Sequence, residues 1–113
     1  MIEPLLVTAL GTLVGGRVFP DVAPAGTALP YATYQQVGGI AVNFLEGTGS
    51  KSGVRMQINI WSKTRPEAMT LIRQAEALLV STPLFAKLEG GAQARYDEET
   101  TLRGAMQDFS FFS

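Results

Sequence analysis

Two residue types that carry much of protein chemistry, cysteine and histidine, are absent from this sequence. Without cysteine there is no disulfide framework, no thiolate nucleophile and no Cys-ligated zinc or iron–sulfur cluster. Without histidine there is no Ser-His-Asp relay, no HExxH motif and no side chain whose ordinary pKa is near neutrality. Any catalysis would have to rest on carboxylates, lysine or tyrosine.

Charge is also scarce, because Asp, Glu, Lys and Arg make up 17% of the residues, against roughly 25% in an ordinary soluble domain. The 9 basic and 10 acidic residues give a formal net charge of −1 and are spread along the chain. The sequence therefore predicts no basic face for nucleic acid or for an anionic membrane. The surface should be short of charge, and apolar residues are in excess, so we expect part of the apolar excess to contact another protein.

The chain length of 113 residues predicts a single domain over residues 1–113. The first 14 residues are apolar, but no Lys or Arg precedes the apolar stretch, so we do not expect a signal peptide. The stretch is also too short to span a bilayer. Its apolar positions recur at helical spacing, which predicts an amphipathic helix lying on a sheet. These positions are Ile2, Leu5, Leu6, Ala9, Leu10, Leu13 and Val14.

Residues 15–30 are rich in glycine and proline, which predicts an extended connector rather than an inner strand. We expect strands at 31–37 and 40–44, joined by a hairpin turn at Gly38-Gly39. A flexible loop is predicted over residues 46–53. The strand that follows, residues 54–61, alternates apolar and polar side chains and should bury one face.

The sequence Thr64-Arg-Pro-Glu67 is typical of a capping box at the start of a helix, and this helix should end before Pro83. Residues 93–97 and 102–112 predict a final hairpin. The element order is α-β-β-β-α-β-β. This order predicts an α+β fold in which an antiparallel, or mixed, sheet carries both helices on one face.

Two segments suggest a catalytic or metal site, but each is better explained otherwise. The stretch Gly47-Thr-Gly-Ser-Lys-Ser52 resembles a P-loop, but Leu45 and Ser50 occupy positions that require glycine, and a strand follows instead of a helix. Asp97-Glu98-Glu99 could hold a divalent cation, yet consecutive acids at a hairpin turn are usually a solvated tip. The sequence therefore predicts no catalytic, cofactor-binding or metal-binding residue.

Two other features favour assembly. Phe109, Phe111 and Phe112 place aromatic rings on both faces of the last strand, so this strand is either buried on both faces or borders a partner, and we expect the three residues at or near a subunit interface. The loop 46–53, with three glycines, two serines and a threonine, is too flexible to pack alone and could order against a neighbouring protein. Its candidate assembly residues are Glu46, Gly47, Ser50, Lys51 and Ser52.

The run Pro20-Asp-Val-Ala-Pro-Ala-Gly-Thr-Ala-Leu-Pro-Tyr-Ala-Thr-Tyr34, followed by the strand Val54-Arg-Met-Gln-Ile-Asn-Ile-Trp-Ser62 and a helix, resembles the small tail-completion or tail-terminator proteins of long-tailed bacteriophages and prophages. The resemblance covers nearly the whole chain in the order of its elements. It implies a non-enzymatic structural protein without cofactors, located in the virion tail and in the bacterial host cytoplasm during assembly.

The same resemblance implies a homo-oligomeric ring, with six subunits, that caps the tail tube and stops its polymerisation. The partners that it implies are the tail tube protein and the head–tail connector protein, with no membrane and no sequence-specific nucleic acid. Two alternatives remain open. One is another head-completion or connector protein, and the other is a small-ligand-binding α+β domain, which would need a pocket of convergent polar groups.

Overall fold

The computed structural model describes residues 2–40 and 53–112, and its elements follow the predicted order. Two helices and five strands make up this part of the chain. The helices are α1 (Ile2–Val14) and α2 (Arg65–Leu79), and the strands are β1 (Val18–Pro20), β2 (Tyr31–Ile40), β3 (Gly53–Ser62), β4 (Lys87–Tyr96) and β5 (Arg103–Phe112).

The five strands form one sheet in the order β1-β2-β3-β5-β4. β1 runs parallel to β2, whereas the other three neighbouring pairs are antiparallel. The predicted α+β fold is therefore confirmed, as a mixed sheet with one parallel pair.

Both helices lie on the same face of the sheet and bury it. The stripe of α1 contributes Leu6, Leu10 and Val14, while Leu5 stays 43% exposed. Alternate residues of the central strands point toward the helices, as the period of a strand requires. The fully buried side chains of this core include Ile58 and Ile60 of β3, Ile72 and Leu79 of α2, and Phe109 and Phe111 of β5.

The segment 15–30 holds the first strand, which the sequence did not predict. The amide of Ala32 donates to the carbonyl of Arg17 (2.9 Å), and the amide of Asp21 donates to the carbonyl of Tyr34 (2.9 Å). Proline is tolerated here because β1 is an edge strand, so the nitrogen of Pro20 can lie on the side that has no neighbouring strand.

The predicted hairpin turn at Gly38-Gly39 is wrong. β2 continues through both glycines, with Gly38 opposite Arg55 and Gly39 opposite Val54, and its register shifts between Gln36 and Gly38. The glycines therefore accompany a β-bulge, a local irregularity that glycine tolerates as readily as a turn. Of the predicted strand 40–44, residue 40 ends β2 and residues 41–44 lie outside the described part of the chain.

The start of α2 agrees with the predicted cap in one of its two hydrogen bonds. The Thr64 hydroxyl accepts from the Glu67 amide (3.3 Å). The carboxylate of Glu67 does not reach back to the Thr64 amide but accepts a hydrogen bond from the hydroxyl of Ser62. The last residue of β3 thus ties the strand to the helix that follows it.

β4 begins six residues before the predicted strand 93–97, because Gly90-Gly91 forms a bulge rather than a break. Three residues of β4 stand opposite Gln107 alone, between the pairs Glu89–Asp108 and Gln93–Met106. The buried side-chain amide of Gln107 fills the gap, donating to the carbonyl of Gly90 at 2.8 Å and to that of Glu89 at 3.3 Å. A side chain here replaces a missing rung of the ladder.

Gly104 is expected to resist any larger residue, because Trp61 lies across it on the neighbouring strand. A β-carbon at Gly104 would lie 2.7 Å from Cε3 of the indole, closer than carbon atoms approach. We expect Gly104→Ala to lower the free energy of unfolding by about 1–3 kcal/mol, the usual cost of overpacking. Denaturant unfolding followed by the fluorescence of Trp61, the single tryptophan, measures this.

The matched control is Gly91→Ala, since no atom lies within 4 Å of a β-carbon at Gly91. Equal stability of the two variants would contradict the proposed packing of Trp61 on Gly104.

Candidate functional site

Two stretches of strand edge pair with nothing in the described residues. β1 covers β2 only from Ala32 to Tyr34, so the outer edge of β2 is uncovered from Gln35 onward. At the opposite side of the sheet, β4 pairs only with β5 and its other edge is uncovered. Unpaired backbone amides and carbonyls on a strand edge are a template for another chain.

Exposed hydrophobic side chains concentrate at one end of the molecule, which we call the apolar end. It is the end where β2 finishes, β3 starts and β5 finishes. Of the eight large hydrophobic side chains exposed in the described part of the chain, five lie at or near this end. They are Val37, Val80, Phe85, Leu88 and Phe112.

Phe85 is the most exposed aromatic of this group, at 65%. Its φ of 47° lies in the left-handed region, which costs a residue other than glycine roughly 1–3 kcal/mol. Its amide donates to the carbonyl of Ser81 at 2.9 Å, which helps to hold the conformation. An aromatic ring held in water at a cost to the backbone is typical of a contact surface.

The three phenylalanines of β5 divide between core and surface. Phe109 and Phe111 are fully buried, and their rings stack with centroids 6.4 Å apart. They have no exposed area with which to contact a neighbouring subunit, because α2 and the sheet already cover them. Phe112 is 39% exposed, so it is the one side chain of the three that could contact a neighbouring subunit.

The predicted assembly residues Glu46, Gly47, Ser50, Lys51 and Ser52 lie outside the described residues. Residue 53, the last of the predicted loop, is the first residue of β3 and is buried. The P-loop-like stretch also falls outside the described part of the chain.

The face of the sheet opposite the helices is polar and concave, and it forms a trough of about 430 Å³. Thr33 and Asn59 form its floor, and the Oδ1 atom of Asn59 is buried without a hydrogen-bond partner. Burial, and to a lesser degree the charge of Asp97, raises the pKa of Tyr31 in the lining. Its phenol is therefore protonated at neutral pH and cannot act as a base.

The acidic turn is a local structure. The Asp97 carboxylate accepts from the Glu99 amide at 3.0 Å, an Asx-type turn between β4 and β5. No cluster of three or more acidic side chains that could hold a metal ion occurs in residues 2–40 and 53–112. In the same ranges, no helix is both long and apolar enough to cross a membrane.

Sequence reasoning missed Val37, Phe85 and Leu88 as surface residues. Val37 sits within the predicted strand 31–37, at the position where the register of β2 shifts, and is 40% exposed. The pair Leu84-Phe85 after Pro83 was a usable signal, because two large hydrophobic residues in a loop that follows a helix cannot both be buried easily. In the structure Leu84 is buried and Phe85 is not.

Comparisons with known proteins agree with this architecture. The family model described as "Tail completion protein gp17" matches residues 5–112. A chain in the solved structure "Virion of native gene transfer agent (GTA) particle" has a TM-score of 0.63 and 21% identity, over 91% of this chain and 82% of that chain. At this identity the likeness is one of fold. None of the curated proteins matches the sequence.

Glu89 should make a pH-dependent contribution to stability. The Ser110 hydroxyl donates to its carboxylate and holds the pKa of Glu89 below its ordinary value of 4.5, with Lys87 and Arg55 lowering it further. The stabilisation is therefore fully present above that value and is lost as the pH falls through the lowered, folded-state pKa. We expect Glu89→Gln to lower Tm at pH about 7 and to have a smaller effect at pH about 3, where part of the stabilisation is lost.

Thermal unfolding at the two pH values checks this, with Glu98→Gln in the exposed turn as the control. A Tm difference for Glu89→Gln that is the same at both pH values would contradict it.

Proposed function

This chain belongs to the tail completion protein gp17 family, and on that premise we propose that it forms a ring that caps the tail tube of a phage-like particle. The ring ends polymerisation of the tube and presents the surface that joins tail to head. Six subunits and the partners, a tail tube protein and a head–tail connector protein, come from the family resemblance. The chain would act in the virion tail, after assembly in the bacterial host cytoplasm.

The observation that carries this proposal is the pair of uncovered edges on opposite sides of one sheet, next to the apolar end. A contact between two different surfaces of identical subunits is heterologous, and it closes into a ring when the rotation between subunits permits. A contact between two identical surfaces would stop at a dimer instead. Two uncovered edges therefore favour a ring.

The chemistry of the chain supports a structural role. The sequence has no cysteine and no histidine, and most residues that line the trough carry amide, hydroxyl or charged groups. On the face of the sheet opposite the helices, which we call the open face, Arg55 and Asp108 are paired at 2.9 Å. Neither is therefore a free charge for phosphate or metal. These observations favour a role that depends on the shape of the protein and on its self-association.

We assign the subunit contact to the apolar end, with Phe112 as the member of the predicted interface that is exposed. We assign the axial contact, with the tube or the connector, to the loop residues Glu46, Gly47, Ser50, Lys51 and Ser52. Polar and glycine-rich segments of this kind can order on binding, because they have no packing of their own to lose.

The proposal predicts a ring-shaped cap that limits tube growth. Native mass spectrometry of the chain, alone and mixed with the tail tube protein of the same particle, should give a hexamer in at least one of the two samples. Electron microscopy of polymerising tube protein should show shorter tubes with capped ends. A chain that stays monomeric in both samples and leaves tube length unchanged overturns the proposal.

Deletion of residues 47–52 should separate assembly from joining. We expect the variant to fold with a Tm close to that of the full chain and to form rings. Head–tail joining should be abolished, because the axial contact is lost. Counting tailed particles by electron microscopy measures this. Normal numbers of joined particles would remove the loop from the proposal.

Phe112→Asp should weaken the ring, because it places a charge in an apolar contact. Native mass spectrometry should show a shift from rings toward monomers. Tyr96→Asp is the control, since Tyr96 is 46% exposed and lies opposite Arg103 at the other end of the sheet. Equal ring populations in the two variants would exclude Phe112 from the interface.

A further inference from the structure

We infer that the ring is closed by main-chain pairing between subunits, with the first residues of β4 in one copy added antiparallel to the uncovered end of β2 in the next. This inference rests on the proposed ring and names the surface that builds it. The occupant is a second copy of this chain, because the two uncovered edges match each other in level, direction and side-chain character.

The match in level follows from the strand register. Gln36 lies opposite Met56, Met56 lies opposite Phe109, and Phe109 lies opposite Leu88. Gln36 and Leu88 are therefore the two ends of one row across the sheet. A second copy that continues the sheet at the same height places its Gln36 beside Leu88 of the first.

The match in direction follows from the topology. β2 is antiparallel to β3, β3 to β5, and β5 to β4, so β2 and β4 run in opposite directions. When a neighbour is related by rotation about an axis nearly parallel to the strands, its β2 keeps its direction. It then meets β4 as an antiparallel pair, the pairing that a sheet edge accepts most readily.

The main-chain groups also face outward where the pair would form. The Tyr34 carbonyl accepts from Asp21 on the β1 side, and groups two residues apart on a strand face the same way. Gln36 therefore directs its amide and carbonyl to the uncovered edge. On β4, the carbonyl of Glu89 faces inward, toward Gln107, so that the groups of the preceding residue, Leu88, face outward.

The side chains at the two edges are those of a contact and not of a protected edge. Val37 on β2 and Leu88 on β4 are each 40% exposed, and Phe85 stands just before β4. Pairing of the edges would bring these apolar groups close to the junction between the two copies and reduce their contact with water. Arg55 and Asp108, the nearest ion pair on the open face, would not be disturbed.

The two bulges limit how far the pairing can extend. β2 is irregular at Val37, and β4 is irregular from Glu89 to Gln93. Bulges twist an edge and end its pairing, which natural sheets use against unlimited edge-to-edge growth. Here they leave a short regular stretch, Lys87–Glu89, to pair. A short stretch with one register suits a closed ring better than an open fibre.

Disulfide trapping tests this inference, because the natural chain has no cysteine. The variant Gln36→Cys/Leu88→Cys places one thiol at each end of the row. Within one chain the two strands are three spacings apart, roughly 14 Å, which is beyond the Cα separation of about 4.4–6.8 Å that a disulfide needs. Any bond between residues 36 and 88 must therefore join two copies.

Mild oxidation of the assembled protein, with tube protein present if the ring needs it, should give a ladder of covalent multimers that ends at the size of the ring. Peptide mapping should find the 36–88 linkage. The matched control is Gln36→Cys/Tyr96→Cys, since Tyr96 lies opposite Arg103 at the other end of β4. This control and the single variant Gln36→Cys should give no species larger than a dimer.

A second pair of variants checks the contact without cysteine. Leu88→Asp should reduce the ring population at least tenfold in native mass spectrometry, whereas Leu5→Asp should leave it unchanged. Leu5 is 43% exposed on α1, close to the 40% of Leu88, but belongs to neither of the two edge strands. Circular dichroism confirms that both variants fold.

The outcomes separate this inference from the proposed function. If the wild-type chain forms a ring but the Gln36→Cys/Leu88→Cys variant gives no 36–88 linkage, or no more trapping than the control pair, the edge pairing is overturned and the proposed ring stands. A wild-type chain that forms no ring, with or without tube protein, overturns the proposed function itself.

Discussion

The burial of one sheet face beneath α1 and α2 is the constraint on which the rest of the structure depends. Phe109 and Phe111 are fully enclosed there, and their strand lies between β3 and β4. Because alternate side chains of a strand point to opposite faces, this burial sets the register of β5, and with it the registers of both neighbours. It also explains an aromatic strand end without any partner chain. Only Phe112, on the other face, is left for the surface.

The same strand pairing decides which edges of the sheet have no neighbouring strand. β1 has only three residues, so it cannot cover all of β2, and nothing in the described part of the chain covers β4. The two glycine pairs, Gly38-Gly39 and Gly90-Gly91, lie at or next to the uncovered segments and accompany irregular pairing at both edges. Gln107 fills the larger irregularity with its side-chain amide. Both edges are therefore irregular and lack a neighbouring strand, as expected of a subunit whose sheet is extended by another copy.

A tail-completion role suits a chain with few charges and with no cysteine or histidine. Self-association needs backbone groups and apolar area, and both are concentrated at the apolar end. The trough on the open face contains an unpaired acceptor, Asn59 Oδ1, and a phenol whose pKa is raised, but no pair of groups arranged for acid–base exchange. The exposed groups of this protein therefore suit contact with another protein, and the strands decide where those groups lie.

The sequence by itself determined both helices, the alternating strand β3, the final hairpin, the α+β class and the family, because periodicity, caps and the Pro20–Tyr34 run are local signals. It did not determine that Gly38-Gly39 continues a strand, that the connector contains a strand, β1, paired with β2, or that Gly90-Gly91 lies inside β4. Glycine permits a turn and a bulge alike, and only pairing with a distant strand chooses between them. For the same reason the tertiary structure alone decided that Phe109 and Phe111 are core, and that Val37, Phe85 and Leu88 are surface.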